Sequence, residues 1–329
     1  MRRLHLQLSD RGRLFIALGL VAFTLPAATQ TYPNGMIRFI VPAAAGTPPD
    51  IVGRLIASQL SEAEAWRVIV ENKPGAIQSI GHAEALKQPA DGHTLVSMAL
   101  SAVVAPVLLP NVTFGLDTDF APVIKLASAY HVLVVHPSVP AKSLPEFVSL
   151  LKSQPDKLTY SSGGFGTPAH LAGELFKLQT GVRATHVPYQ ALPRAIADLL
   201  SGTNQYQFIT PLPVLELIAT GRLRALAVTA PMRLPALKDV PTVVEAGFPD
   251  LIIQDFMGVL VKRGTQDAVV AQLNAAMNRA LATPNVRTAL NKMAADPAGG
   301  SPEEFGAFVR SQITYWGKVV NDAGIRMHQ

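Results

Sequence analysis

The sequence contains no cysteine. That absence removes thiol nucleophiles, thiolate-bound metal centres, disulfide cross-links and a lipid-modified N-terminal cysteine at one stroke. Aromatic residues make up only 6% of the 329 residues and charged residues 16%, whereas hydrophobic residues reach 49%. The chain must be held together by apolar packing, and that content suits about two domains of roughly 100–200 residues each.

Basic charge is scarce as well once the N-terminus is set aside. Residues 1–30 carry Arg2, Arg3, Arg11 and Arg13 against Asp10, a net +3, so of the formal +5 only +2 belongs to residues 31–329. No later cluster of Lys and Arg has interleaved aromatics, and nucleic-acid binding is not expected. The first thirty residues read as a secretory signal peptide: a basic head, the apolar run LFIALGLVAFTL and the small-residue exit PAATQ. A membrane span needs about 20 apolar residues, which this run does not reach. Cleavage near residues 26–30 and a Gram-negative periplasmic location are the expectation.

Beyond the leader, β-loop-α alternation predicts α/β architecture with parallel sheets. MIRFIVP (36–42), RVIVENKPGA (67–76) and HTLVSMAL (93–100) read as strands, and the segments from Asp50 and from Ser79 as helices. The long extended stretch 120–137 reads as a crossing into a second domain of the same kind, and DLIIQDFMGVLVK (250–262) as the return. The C-terminal portion reads as helical throughout, packing back on the first domain. The expected division is 31–130 plus 256–329 as one domain and 131–255 as the other, with a ligand cleft between them.

Several constellations invite chemistry. In SSGGFGTPAH (161–170) the glycines leave backbone N–H groups unobstructed and Pro168 suits a first helical turn, so this turn fits a carboxylate or phosphate. Gly164, Gly166 and Ala169 match G-x-G-x-x-A, but RATHVPYQ (183–190) supplies no ribose-binding acid, which argues against a dinucleotide. His131 and His136 have odd spacing on a predicted strand and cannot share an ion, while His170 and Glu174 at i,i+4 make half a metal site with no third ligand nearby. Ser161 and Ser162 lie outside a G-x-S-x-G elbow. No catalytic group, metal or cofactor is therefore assigned. Asp50 opens the first helix, and its cap would turn the backbone donors of AAAGT (43–47) toward the same cleft.

YPNGMIRFIVPAAAGTPPDIVGRLIA, VENKPGAIQSIGHAEALKQPADGHTLV, YSSGGFGTPAHLAGELFK, HVPYQALPRAIADLLSG, GRLRALAVTA and LKDVPTVVEAGFPD occur in this order. Together they resemble the Bug-type receptors, the solute-binding proteins of tripartite tricarboxylate transporters, over residues 32–325. The resemblance implies a type II-like two-lobed periplasmic binding protein, with two doubly wound α/β domains joined by two crossing strands. It implies a small solute, whether a carboxylate, amino acid or aromatic acid, gripped by a loop from each lobe and passed by a monomer to membrane permease subunits. Carried over by motif, the first-lobe residues are Ala44, Ala45, Gly46, Thr47 and Pro48, with Ala76, Ile77, Gln78 and Ser101 beside them. The second-lobe residues are Ser161, Ser162, Gly163, Gly166, Thr167 and His170, with Tyr189 and Ile209. A receptor-derived sensor domain and an exported α/β enzyme acting on a carboxylate are the alternatives.

Three places depart from that family's usual pattern. Thr47 follows Gly46 where a second glycine is usual, Ala76-Ile77-Gln78 replaces a glycine-rich run, and Ile209 follows Phe208 where an aspartate is common.

Overall fold

A computed structural model of the chain describes residues 32–326, and the expected leader lies outside them. The chain opens with β1 (Ile37–Val41), α1 (Pro48–Glu64), β2 (Val68–Asn72), α2 (Ser79–Leu86), β3 (Thr94–Ala99), α3 (Leu100–Leu108) and β4 (Phe120–Tyr130). It crosses into β5 (Val132–Val135), α4 (Leu144–Ser153), β6 (Thr159–Ser162), α5 (Pro168–Thr180), β7 (Thr185–Pro188), α6 (Leu192–Leu200), β8 (Tyr206–Ile209), α7 (Leu215–Ala219) and β9 (Arg224–Val228). It returns through β10 (Gln254–Lys262), α8 (Asp267–Ala282), α9 (Pro284–Lys292), β11 (Ala295–Gly299) and α10 (Pro302–Asp322).

These elements build two sheets, in the order β11-β4-β10-β3-β1-β2 and β7-β6-β8-β5-β9, and so two α/β lobes. All residues of β3 and of β5 are buried, as expected for apolar strands covered on both faces. The sheets are mixed rather than parallel. β1 runs parallel to β2 and β3, but β10 lies antiparallel between β3 and β4. In the second sheet β5 is antiparallel to both β8 and β9. The reason lies in the crossings: a strand arriving from the other lobe has no crossover helix to dictate its direction.

One C-terminal element differs from the sequence reading, and one central helix was not anticipated by it. Ala295–Gly299 is a strand, paired antiparallel with β4 at the sheet edge, where Pro297 is tolerated because an edge position can go without one ladder donor. Leu100 begins a helix, LSAVVAPVL, that is β-branched and interrupted by Pro106. Its propensity is poor, and burial of most of its length against the core compensates. By contrast α10 is strongly specified, with Ser301 and Glu304 forming a reciprocal cap at its start. Trp316, 1% exposed, anchors this helix, which packs on α3 and β4 and also touches α5 of the second lobe.

The lobes are joined at Tyr130-His131-Val132 and at Ile253-Gln254. Thr229, fully buried at the end of β9, ties the two together. Its hydroxyl accepts from the His131 N–H (2.9 Å) and donates to the Ile253 carbonyl (3.0 Å). Its N–H donates to the His131 carbonyl (2.8 Å), and its own carbonyl accepts from the Ile253 N–H (3.1 Å). Thr229→Val keeps the shape but leaves the His131 N–H buried without a partner. Urea unfolding should show a loss of about 1–3 kcal/mol, with Thr229→Ser close to the parent.

Candidate functional site

The mouth of the cleft on the first-lobe side is the turn between β1 and α1. Thr47 and Pro48 start the helix, and Asp50 reaches back to organise the turn. It accepts from the Gly46 N–H (2.8 Å), from Asn72 Nδ2 (2.8 Å) and from Arg54 at 3.0 Å. Burial opposes ionisation of Asp50, but those bonds from Arg54, Gly46 and Asn72 outweigh it and hold the carboxyl below its usual range. The Thr47 hydroxyl and N–H both donate to the Ala44 carbonyl, at 2.6 and 3.3 Å. Two of the backbone donors expected for a solute, those of Gly46 and Thr47, are thus spent within the turn. Ala44, Ala45 and Gly46 are exposed at its tip.

Beside it lies a strained loop. Gly75, Ala76, Ile77 and Gln78 all have positive φ, at 123°, 44°, 52° and 72°. Three consecutive non-glycine residues in the left-handed region cost energy that the surroundings must offset. Part of the offset is visible: the Gln78 side chain accepts from the Ala99 N–H (3.1 Å), and its carbonyl bonds His82 Nδ1 (2.9 Å). The strain presents Ile77 toward the other lobe. A Cβ placed on Gly166 would stand 2.8 Å from Ile77 Cδ1 and 3.2 Å from Leu108 Cδ1, so the two rims touch here.

On the second lobe the turn between β6 and α5 is wired internally. The Gly164 N–H donates to Ser162 Oγ (3.1 Å), Thr167 Oγ1 donates to the Gly164 carbonyl (2.7 Å), and the Gly166 N–H donates to His170 Nδ1 (3.2 Å). His170 is 2% exposed, and burial together with Lys177 pushes it down to about 4, so the ring is neutral and staples the turn. Glu174 is engaged by Lys177 (2.9 Å) and by the Tyr160 hydroxyl (2.5 Å). Ser162 Oγ sits 2.6 Å from His186 Nε2. That pair is not a hydrolytic triad: Ser162 is fully buried, and His186 Nδ1 has no carboxylate to orient it.

Two cavities, one on each lobe, have Asp255 in common. One, of about 150 Å³, is lined by Gly163, Thr167, Pro168, Leu192, Gln207 and Ile209 from the second lobe, with His131 and Asp255 at its base. The other, of about 60 Å³, is lined by Pro48, Pro49, Val52, Ala99 and Ser128 of the first lobe, again with Asp255. Both sit where strands of their lobe end and helices begin, the usual ligand position in α/β sheets. Asp255 keeps some exposure but is densely surrounded, and burial pushes its carboxyl up to about 6 against the hydrogen bonds from the Phe256 and Leu100 N–H groups.

Of the residues singled out in the sequence, Gly163, Thr167, Ile209 and Pro48 line these cavities, and Ile77 and Gly166 meet across the rim. Ala76 is exposed, and Ser101 is buried in the first turn of α3. Ser161, Ser162 and His170 are buried within the second lobe and their side chains line neither cavity. Tyr189 departs most: its hydroxyl donates to Asp198 (2.8 Å) and accepts from Asn204, inside its own lobe. Asp255 and Gln207 went unread; the signal for Asp255 was an acid placed directly before the apolar run FMGVLV of the return crossing.

The model of the tripartite tricarboxylate transporter family receptor matches residues 38–325. The chain belongs to that family. A relative, protein BugT of Bordetella pertussis, is 31% identical over 316 residues, covering 95% of this chain and 96% of that protein. Among solved structures, Rpa4515 of R. palustris with adipate is 31% identical with a TM-score of 0.80, covering 90% of this chain and 100% of that one. MatC from Rhodopseudomonas palustris with bound malate is 30% identical with a TM-score of 0.77, covering 88% and 100%. Receptors of this family are periplasmic solute-binding proteins, and the two-lobed α/β architecture of this receptor agrees with them. Among the described residues no helix is long and apolar enough to cross a membrane.

The rim contact yields a test. Gly166→Ala combines a positive φ of 71° with the blocked space against Ile77 and Leu108. It should lower the unfolding free energy by about 1–3 kcal/mol. Ile77→Ala in the same chain should recover part of that loss in a double-mutant cycle, because it removes the methyls in the way.

Proposed function

We propose that this receptor captures a small carboxylate solute between its lobes in the periplasm and delivers it, unchanged, to the permease subunits of a tripartite transporter. The observation that carries this reading is the pair of cavities that share Asp255 as a floor, each walled by strand-end turns of one lobe. A solute there bridges both lobes, so its binding favours the closed arrangement over an open one by the difference in its contacts. The second-lobe wall is the start of α5, where unpaired helical N–H groups and the helix dipole favour negative charge.

The solutes of the similar proteins, adipate and malate, fit the same chemistry. Enzymatic turnover has less support, since the buried Ser162–His186 pair lacks both access and an orienting acid.

Mature protein spanning residues 31–329 should be screened by thermal shift with mono- and dicarboxylates, amino acids and aromatic acids, and hits measured by calorimetry. At a hundred times its Kd, a solute specific for the folded state adds about 2.7 kcal/mol of stability, so Tm should rise with the logarithm of solute concentration. The solute should be recovered intact. A hit that is consumed, or a panel with no stabilising member, contradicts the reading.

A further inference from the structure

The floor of the cleft holds a carboxylate that capture of a plain carboxylate does not require. Asp255 borders both cavities and, among the described residues, accepts hydrogen bonds only from backbone, the Phe256 N–H at 2.8 Å and the Leu100 N–H at the start of α3. Among the described residues no Arg, Lys or His forms an ion pair with it. Lys125, on the neighbouring strand, instead lies 3.9 Å over the Phe308 ring and 3.5 Å from Gln254. Burial pushes the Asp255 carboxyl up to about 6, which still leaves it predominantly ionised in neutral solution. A packed anion without a counter-ion is a high-energy group that an incoming cation relieves, whereas a second carboxylate beside it is repelled.

The same 150 Å³ cavity has further polar walls. Gln207 and His131 line it, 1% and 3% exposed, and each retains a buried polar atom with no partner: Gln207 Oε1 and His131 Nδ1. Burial pushes His131 down to about 4, so its ring is neutral and one nitrogen accepts a hydrogen bond. By chemistry the Asp255 carboxylate, the Gln207 amide oxygen and the unprotonated His131 nitrogen make an acceptor set on side chains that border one cavity, once the Gln207 amide and the His131 ring turn those atoms toward it. An ammonium group, with three N–H donors and a positive charge, is the complement of that set. Gly163 and Thr167, before α5, line the same cavity, so one small molecule reaches both the helix start and the acceptors.

We propose that Asp255 makes this receptor selective for carboxylate solutes that also carry an ammonium group, amino acids, with Gln207 and His131 completing the ammonium site. This rests on the reading of the cleft as a carboxylate-capturing site. A hydroxyl in place of the ammonium brings one donor and no charge, so hydroxy acids rank between amino acids and their unsubstituted analogues.

Calorimetry on the mature protein with matched pairs tests the assignment: aspartate against succinate, glutamate against glutarate, and malate as the hydroxy analogue of the first pair. The amino member should bind at least ~tenfold more tightly. Asp255→Asn keeps an oxygen for the Phe256 N–H and removes the charge. It should weaken the amino acids by at least ~tenfold more than the unsubstituted acids, so that the amino-to-unsubstituted affinity ratio falls by that factor. Gln207→Leu should lower the same amino-to-unsubstituted ratio by less, and it decides the matter together with the parent's own preference if Asp255→Asn fails to fold by Tm. Tighter binding of succinate than aspartate, or an amino-to-unsubstituted ratio that Asp255→Asn does not move, overturns the assignment and leaves the receptor reading standing. Binding of no carboxylate by the parent overturns both.

Discussion

The clasp at Thr229 is the constraint on which the rest depends. One buried side chain and its own peptide groups hold the outgoing strand at His131 and the returning strand at Ile253, so both crossings are fixed to one point. Asp255 lies two residues beyond Ile253, and His131 is itself part of the clasp, so the hinge and the cleft floor are the same few residues. Any rotation of one lobe on the other pivots close to the proposed solute position, which keeps the floor fixed while the rims travel.

The rims are built by a different principle. Asp50 holds the first-lobe turn and His170 the second, each by accepting a backbone N–H of the turn it follows. Donors spent in this way no longer serve a solute, but the turns are held in one shape before binding, which reduces what association costs in lost freedom. Strain is concentrated at Gly75–Gln78, where left-handed residues push Ile77 against Gly166. That contact is apolar and small, so it shapes the mouth without holding the lobes shut on its own.

Much of the architecture was legible because apolar runs, proline starts and glycine stops agree locally: α5 begins at Pro168 and ends at Gly181 as its sequence indicates. The exceptions have physical causes. LSAVVAPVL has the composition of a strand and is helical because its surroundings bury it, and ADPAG is a strand only because β4 has an open edge. Strand direction was misjudged for the same kind of reason, since β5 and β10 take theirs from the other lobe. At the site, glycine-rich turns are visible in sequence, but which side chains face a cavity is not. Ser162 and His186, 24 residues apart, meet only because β6 and β7 pair in parallel. Asp255 gains its meaning from three-dimensional surroundings that no local pattern encodes.

The central claim is that the lobes close about the Thr229 clasp when a solute binds. The absence of cysteine allows a direct measurement, because Ser58→Cys on α1 and Lys152→Cys on α4 place a single spin label on each lobe at exposed positions. Pulsed electron–electron resonance between them reports the distance distribution across the hinge. Saturating solute should shift and narrow that distribution; an unchanged distribution at a solute concentration that calorimetry shows to be saturating contradicts closure.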